Sequence, residues 1–265
     1  MVRIFLPYVE IFWKCLPASL KQIKAAGFDG VECHLIGRLL SQERIRILRE
    51  EIAEQELDVR FHQGWSWETG QRNLYNAVLR PLNALVPVGL PLTKQVSDVG
   101  SDPVVVYGNT VIEASQPNYL YQTCSEHVHG SSYAMAFTSF ANAVKSYRLP
   151  VVFDTQHVLE WFLNKENVAG LPEDPAVIEK MVVKLWEEFQ PLVREIHLCD
   201  FNPLLGPSHG RNVFPGTGIF PLQQFSEHVR ASHWSGIVTP EVSPQHLRGK
   251  DKLRVLREKV DHLFN

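Results

Sequence analysis

Seven residues, Val151–His157 (VVFDTQH), join an apolar run of strand length to Asp154 at its end and to His157 three residues later. Such a run sets an acid and an imidazole at the C-terminal mouth of a strand, where a metal or a catalytic pair is naturally held. Two further short apolar runs end in the same way: Val193–His197 (VREIH) delivers His197, and Gly236–Glu241 (GIVTPE) delivers Glu241. Charges buried at three strand ends are costly unless they are paired or coordinated, so the three residues read as one centre contacting a metal or substrate. The last polar residues of the other predicted strands enlarge the set to Glu32, His34, His62, Gln122 and Asp200, and Trp65 and Trp67 follow the third strand. The two tryptophans offer flat apolar faces for stacking on a ligand, and His62 offers a polar contact. Carboxylate and imidazole ligands without a thiolate suit one divalent ion, Mn²⁺, Mg²⁺, Co²⁺ or Zn²⁺.

The elements that must position these residues alternate regularly. Predicted strands are Arg3–Leu6, Gly30–His34, Leu57–His62, Val104–Gly108, Tyr119–Gln122, Val151–Asp154, Arg194–Leu198 and Ile237–Glu241. Helical patterns run over Pro17–Ala26, Ser41–Glu56, Leu74–Leu85, Phe137–Tyr147, Pro175–Phe189, Leu222–Arg230 and Asp251–His262. Strands separated by helices form parallel sheets, because a parallel neighbour needs a crossover of a dozen residues or more. Eight strands with helices in most gaps give an α/β (β/α)₈ TIM barrel. The stretch Pro87–Pro103 reads as a long loop, and the short interval before Tyr119 leaves an irregular or missing helix after strand four. No repeat, low-complexity tract or linker divides the chain, so residues 1–265 are expected to form one domain.

Composition narrows the partners. With 45% hydrophobic residues, a formal charge of −3 and no face-length run of Lys or Arg, the chain lacks the electrostatic footprint of a nucleic-acid binder. A small polar partner is expected instead. The four cysteines show no C-x-x-C spacing, which suits reduced thiols in the cytoplasm. Pro7 interrupts the first apolar run, and no run is of membrane-spanning length, so neither a signal peptide nor a membrane partner is expected. Aromatic loop residues make a homodimer an expectation.

Taken in order, Ala25–Glu32 (AAGFDGVE), Phe153–His157 (FDTQH), Ile196–Asp200 (IHLCD) followed by Phe214–Gly218 (FPGTG), and Glu241 resemble the xylose isomerase-like barrels. That family includes sugar epimerases, hydroxypyruvate isomerase, inosose dehydratase and endonuclease IV. In the epimerase branch a Glu, an Asp, a His and a Glu at the ends of strands five to eight hold the metal. By position the resemblance implies Gln122, Asp154, His197 and Glu241, with His157 reaching toward substrate. Glu32 and His34, as polar residues at a strand end, either contact substrate or cap the strand. Gln122 departs from the pattern. An amide can coordinate through its oxygen but has no charge to accept a proton, so one base of a two-glutamate epimerisation is missing. Glu113 or Glu126 fills the place if the fifth strand is shifted.

The resemblance therefore implies a metal-dependent isomerase or epimerase of a small sugar, polyol or hydroxy-keto acid, working through an enediolate with Glu241 as the base. A dehydratase would begin with the same proton abstraction. A decayed barrel that binds a sugar-like ligand is the alternative that Gln122 motivates. An abasic-site endonuclease fits the mildly acidic chain poorly.

Overall fold

The computed structural model describes residues 1–11, 14–16, 18–35, 42–63, 92–94, 119–122, 145, 151–156, 158–159, 175–202, 204, 211–249 and 251–265. In chain order its elements are β1 (Arg3–Ile11), β2 (Lys14–Leu16), α1 (Leu20–Ala25), β3 (Gly30–Leu35), α2 (Gln42–Glu54), β4 (Asp58–Gln63), β5 (Leu92–Lys94) and β6 (Tyr119–Gln122). They continue as β7 (Val151–Asp154), α3 (Pro175–Phe189), β8 (Val193–Leu198), β9 (Asp200–Phe201), β10 (Arg211–Val213), α4 (Leu222–Ala231), β11 (Ile237–Pro240) and α5 (Lys252–Phe264).

Strands β1, β3, β4, β5, β6, β7, β8 and β11 neighbour one another in that order, and β11 pairs back onto β1, so the sheet closes. Every pairing around this ring is parallel. Closure of eight parallel strands with helices between them is a (β/α)₈ barrel. Two short antiparallel additions were not expected: β2 folds back on β1, and β9 pairs with β10 just beyond β8.

The helix signals worked as chemistry. Ser19 and Gln22 form a reciprocal capping box at the start of α1, which satisfies donors that a first turn leaves open. Helices α3, α4 and α5 each turn an apolar stripe to the sheet, with Trp186, Phe225 and Phe264 buried beneath it. Phe153 of β7 sits 5.6 Å from Trp186 and 5.5 Å from Phe225, ring centre to ring centre, so this outer core braces the strand that ends in Asp154. Inside the barrel, Gly30 faces Phe5. A Cβ at Gly30 would lie 2.6 Å from both the Asp58 carbonyl oxygen and the Phe5 ring, so no side chain fits there.

Two expectations need correction. Pro7 does not end the first strand: it remains in register with Glu32, and Tyr8 with Cys33. The fourth barrel strand is Leu92–Lys94, inside the stretch expected to be a loop, and it pairs with β4 on one side and β6 on the other. Three residues make too short a run to stand out from the prolines and glycines around them. Val104–Gly108, the helix expected at Leu74–Leu85 and the connection 95–118, where the irregular or missing helix was expected, lie outside the described residues. So does the helix expected at Phe137–Tyr147, apart from helical Lys145.

Candidate metal centre

Strands β7 and β11 are buried along their whole length and β8 at all but one residue, and they lie side by side in the barrel wall. Their register aligns Asp154 with His197 and His197 with Thr239. Glu241 lies two residues beyond Thr239, and its N–H continues the ladder by donating to the Leu198 carbonyl at 3.1 Å. Period-two alternation thus brings the acid of one strand, the imidazole of the next and the acid of the third to one face of the sheet, with Glu241 one β-repeat beyond the other two.

The His197 ring is fully buried between two pairs of carboxylates. Its Nδ1 lies 3.3 Å from Glu241 Oε1 and 3.7 Å from Asp154 Oδ2. Its Nε2 lies 3.0 Å from Glu32 Oε2 and 3.9 Å from Glu195 Oε1. The two sides are built differently. On the Nε2 side Glu32 and Glu195 are wholly buried, Thr239 donates its hydroxyl to Glu195 Oε1 at 2.6 Å, and Arg60 Nε faces Glu195 Oε2 at 3.3 Å. On the Nδ1 side the Glu241 side chain is 15% exposed, which makes this the side that solvent reaches.

Neighbouring groups hold the acids in place. Asp154 Oδ1 accepts from the Gln156 N–H at 3.0 Å, and the Cys199 thiol donates to Glu241 Oε2 at 3.3 Å. Thr155 clamps β7 to β8: its hydroxyl donates to the Cys199 carbonyl at 2.6 Å and accepts from the Cys199 N–H at 2.8 Å. Asp200 brackets the following loop, its carboxylate accepting from the N–H groups of Phe201, Gly216, Gly218 and Phe220 at 2.8–3.1 Å. A Cβ on Gly218 would fall 2.2 Å from Asp200 Oδ1, so the second glycine of FPGTG makes room for this bracket.

Burial lifts the Glu32 carboxyl from 4.5 to about 8; His197 opposes the lift and Glu195 reinforces it. Burial pulls His197 down, but Glu32 and Glu241, with hydrogen bonds to Asp154 and Glu32, hold it well above the ordinary imidazole range. Even with Glu32 protonated, three further acids here face one guanidinium and one imidazole, leaving negative charge in excess whichever way His197 is protonated. A divalent cation would offset it. The potential ligand atoms of Asp154, His197 and Glu241 lie within 4.8 Å of one another, so this donor set fits a small hard or borderline ion. One ligand atom each of Glu32, Glu195 and His197 also lies within 4.8 Å of the others, but Arg60 and Thr239 already occupy Glu195.

Of the residues expected at the site, the structure brings Asp154, His197, Glu241 and Glu32 together. Glu32 lies behind the imidazole, in register with Arg60 of β4. Gln122 ends β6 as expected, but its backbone is level with Val152, one β-repeat short of Asp154. His34 and His62 are in register with each other, two residues beyond the Glu32–Arg60 pair. His157, Trp65 and Trp67, like Glu113 and Glu126, lie outside the described residues. Glu195, Arg60, Thr155, Cys199 and Thr239 were not anticipated. For Glu195 a signal existed, since a two-residue spacing from His197 within one strand puts both on one face.

The profile of the xylose isomerase-like TIM barrel family matches residues 112–259. The chain belongs to that family. No curated protein matches it in sequence. Among solved structures, L-ribulose 3-epimerase is similar over 100% of this chain and 95% of its own, with a TM-score of 0.61 at 14% identity. The 3-keto-D-glucoside 4-epimerase YcjR of E. coli is similar over 99% of both chains, with a TM-score of 0.59 at 17% identity. A fusion of a xylose isomerase-like TIM barrel with 4-hydroxyphenylpyruvate dioxygenase is similar over 98% of this chain but only 42% of its own, with a TM-score of 0.56 at 17% identity. At these identities the likeness is one of fold. Among the described residues no helix is long and apolar enough to cross a membrane.

Proposed function

We propose that this protein is a divalent-metal-dependent isomerase or epimerase acting on a small sugar, polyol or hydroxy-keto acid. One observation carries the reading: Asp154, His197 and Glu241 converge at the C-terminal ends of three adjacent strands, with one potential ligand atom of each within 4.8 Å of the others. Active sites of such barrels are assembled at that end. The sugar epimerases that share the fold support a sugar-like substrate.

Asp154, His197 through Nδ1, and Glu241 would hold the ion, which when bound supplies Lewis-acid polarisation of a substrate carbonyl and its neighbouring hydroxyl. Glu241 is the base. Its partial exposure lets one carboxylate oxygen meet substrate, while the Cys199 thiol steadies the other at 3.3 Å. It takes the proton from the carbon beside the carbonyl and delivers it to the former carbonyl carbon on the same face, while the hydroxyl proton passes to the former carbonyl oxygen. A single base of this kind suits transfer between adjacent carbons, as in aldose–ketose exchange. Inversion at one carbon needs a second acid on the opposite face, and Gln122 carries no charge to act as one.

Incubation of the Mn²⁺-, Co²⁺-, Mg²⁺- or Zn²⁺-loaded protein with a panel of ketoses and aldoses in D₂O tests the reading. Deuterium should enter the carbon next to the carbonyl, and Glu241→Gln should abolish incorporation. The second reading, a barrel that binds a sugar-like ligand without turnover, rests on Gln122. It gains if the metal-loaded protein binds a sugar and exchanges no hydrogen.

A further inference from the structure

We infer that Glu32 is a positioning residue that keeps the His197 Nε2–H turned inward, so that Nδ1 is the nitrogen offered to an ion between Asp154 and Glu241. This deepens the metal-dependent reading above and rests on it. Nε2 looks at two buried carboxylates, Glu32 Oε2 at 3.0 Å and Glu195 Oε1 at 3.9 Å. A divalent ion beside Nδ1 would favour the ionised form of Glu32, and a lone pair aimed at two carboxylates is repelled, whereas an N–H turns its positive end to the nearer one. Nε2 therefore keeps its hydrogen, and the lone pair available for coordination sits on Nδ1.

The backing is rigid. Glu32 is in the middle of β3, in register with Pro7 of β1 on one side and Arg60 of β4 on the other. Across the barrel, Glu195 is fixed by the Thr239 hydroxyl at 2.6 Å and the Arg60 guanidinium at 3.3 Å, so the second carboxylate cannot swing in to replace the first. Carboxylate to imidazole to metal is a common way to fix a ligand's tautomer and ring plane, and losing the outer partner costs roughly 10–100-fold in affinity.

Four variants and two readouts test this. Glu32→Met keeps the volume and removes the acceptor; Glu32→Gln keeps an acceptor oxygen and loses the charge; Asp154→Ala removes a ligand on the other side. Titration with Co²⁺, followed by its visible absorption, should show the Met variant weakened roughly 10–100-fold with an altered spectrum, and the Gln variant near the parent. Asp154→Ala should bind more weakly than the parent. In protein labelled with ¹⁵N-histidine, the downfield Nε2-bound proton of His197 should persist in the Gln variant and vanish in the Met variant. Parent-like Co²⁺ affinity in Glu32→Met would overturn the inference. So would an ion retained by Asp154→Ala and lost on Glu195→Gln, since it would then sit on the Nε2 side. If the parent takes up no Co²⁺, the metal reading fails, and the proton signal alone decides the role of Glu32.

Discussion

Replacing Thr155 with valine tests whether the β7–β8 clamp holds the centre together. The side chains match in shape, so the loss is confined to the hydroxyl, which donates to the Cys199 carbonyl at 2.6 Å and accepts from the Cys199 N–H at 2.8 Å. Thr155 and Cys199 are both buried, so water cannot take over either bond. Leaving a buried donor or acceptor unsatisfied costs about 1–3 kcal/mol, so two such groups put the loss at roughly 3 kcal/mol. With a urea dependence of about 3 kcal/mol per molar, the unfolding midpoint of the metal-free protein should fall by about 1 M. Thr155→Ser keeps the hydroxyl and should lose only about 1 kcal/mol for the missing methyl group. Urea unfolding followed by tryptophan fluorescence reads both, because Trp186 lies against Phe153 of β7. The clamp also sets Asp154 against His197, so Thr155→Val should weaken Co²⁺ uptake although every ligand is retained. A midpoint shift below about 0.2 M, or a serine variant as weak as the valine one, would refute this account of how the two strand ends are joined.

Asp200→Ala should destabilise the protein by roughly 3–5 kcal/mol in the same urea assay, because four main-chain donors lose their acceptor at once; a loss under about 1 kcal/mol would mean that the bracket is dispensable. Metal affinity should rise with pH, since His197, held well above 6.5 by its carboxylates, must give up a proton before Nδ1 can coordinate. The expected slope is up to about tenfold per pH unit for one displaced proton, and affinity measured by competition with a chelator between about pH 6 and 8 checks it. Stability of the metal-free protein should move the other way. The Glu32 carboxyl, raised from 4.5 to about 8, binds its proton more readily when folded, so its contribution is complete below 4.5 and lost as pH rises toward 8. A urea midpoint that climbs from about pH 6 to pH 9 would contradict that assignment.

Much of the scaffold was legible along the chain. Val151–Asp154, Tyr119–Gln122 and Pro175–Phe189 have the bounds expected of them, and most other described elements end within a residue or two of expectation. These segments carry strong local signals: apolar runs of strand length, helical stripes, and Pro17 and Gly27 as punctuation around the first helix. Leu92–Lys94 had none. As a three-residue strand it depends on its pairing with β4 and β6, which is a relation between distant segments.

Asp154, His197 and Glu241 were readable because each ends its own apolar run, and a charge in that position is rare without a purpose. Sequence alone determined that acids and an imidazole would gather at the C-terminal mouth of a parallel barrel. The tertiary structure decided what lies on each side of the imidazole. Glu32, Arg60, Glu195 and Thr239 come from four strands, and only barrel closure brings them to Nε2 while Asp154 and Glu241 take Nδ1. Local periodicity fixes which face a residue occupies. Register and shear around a closed sheet fix which residue it meets, and those depend on every strand in the ring.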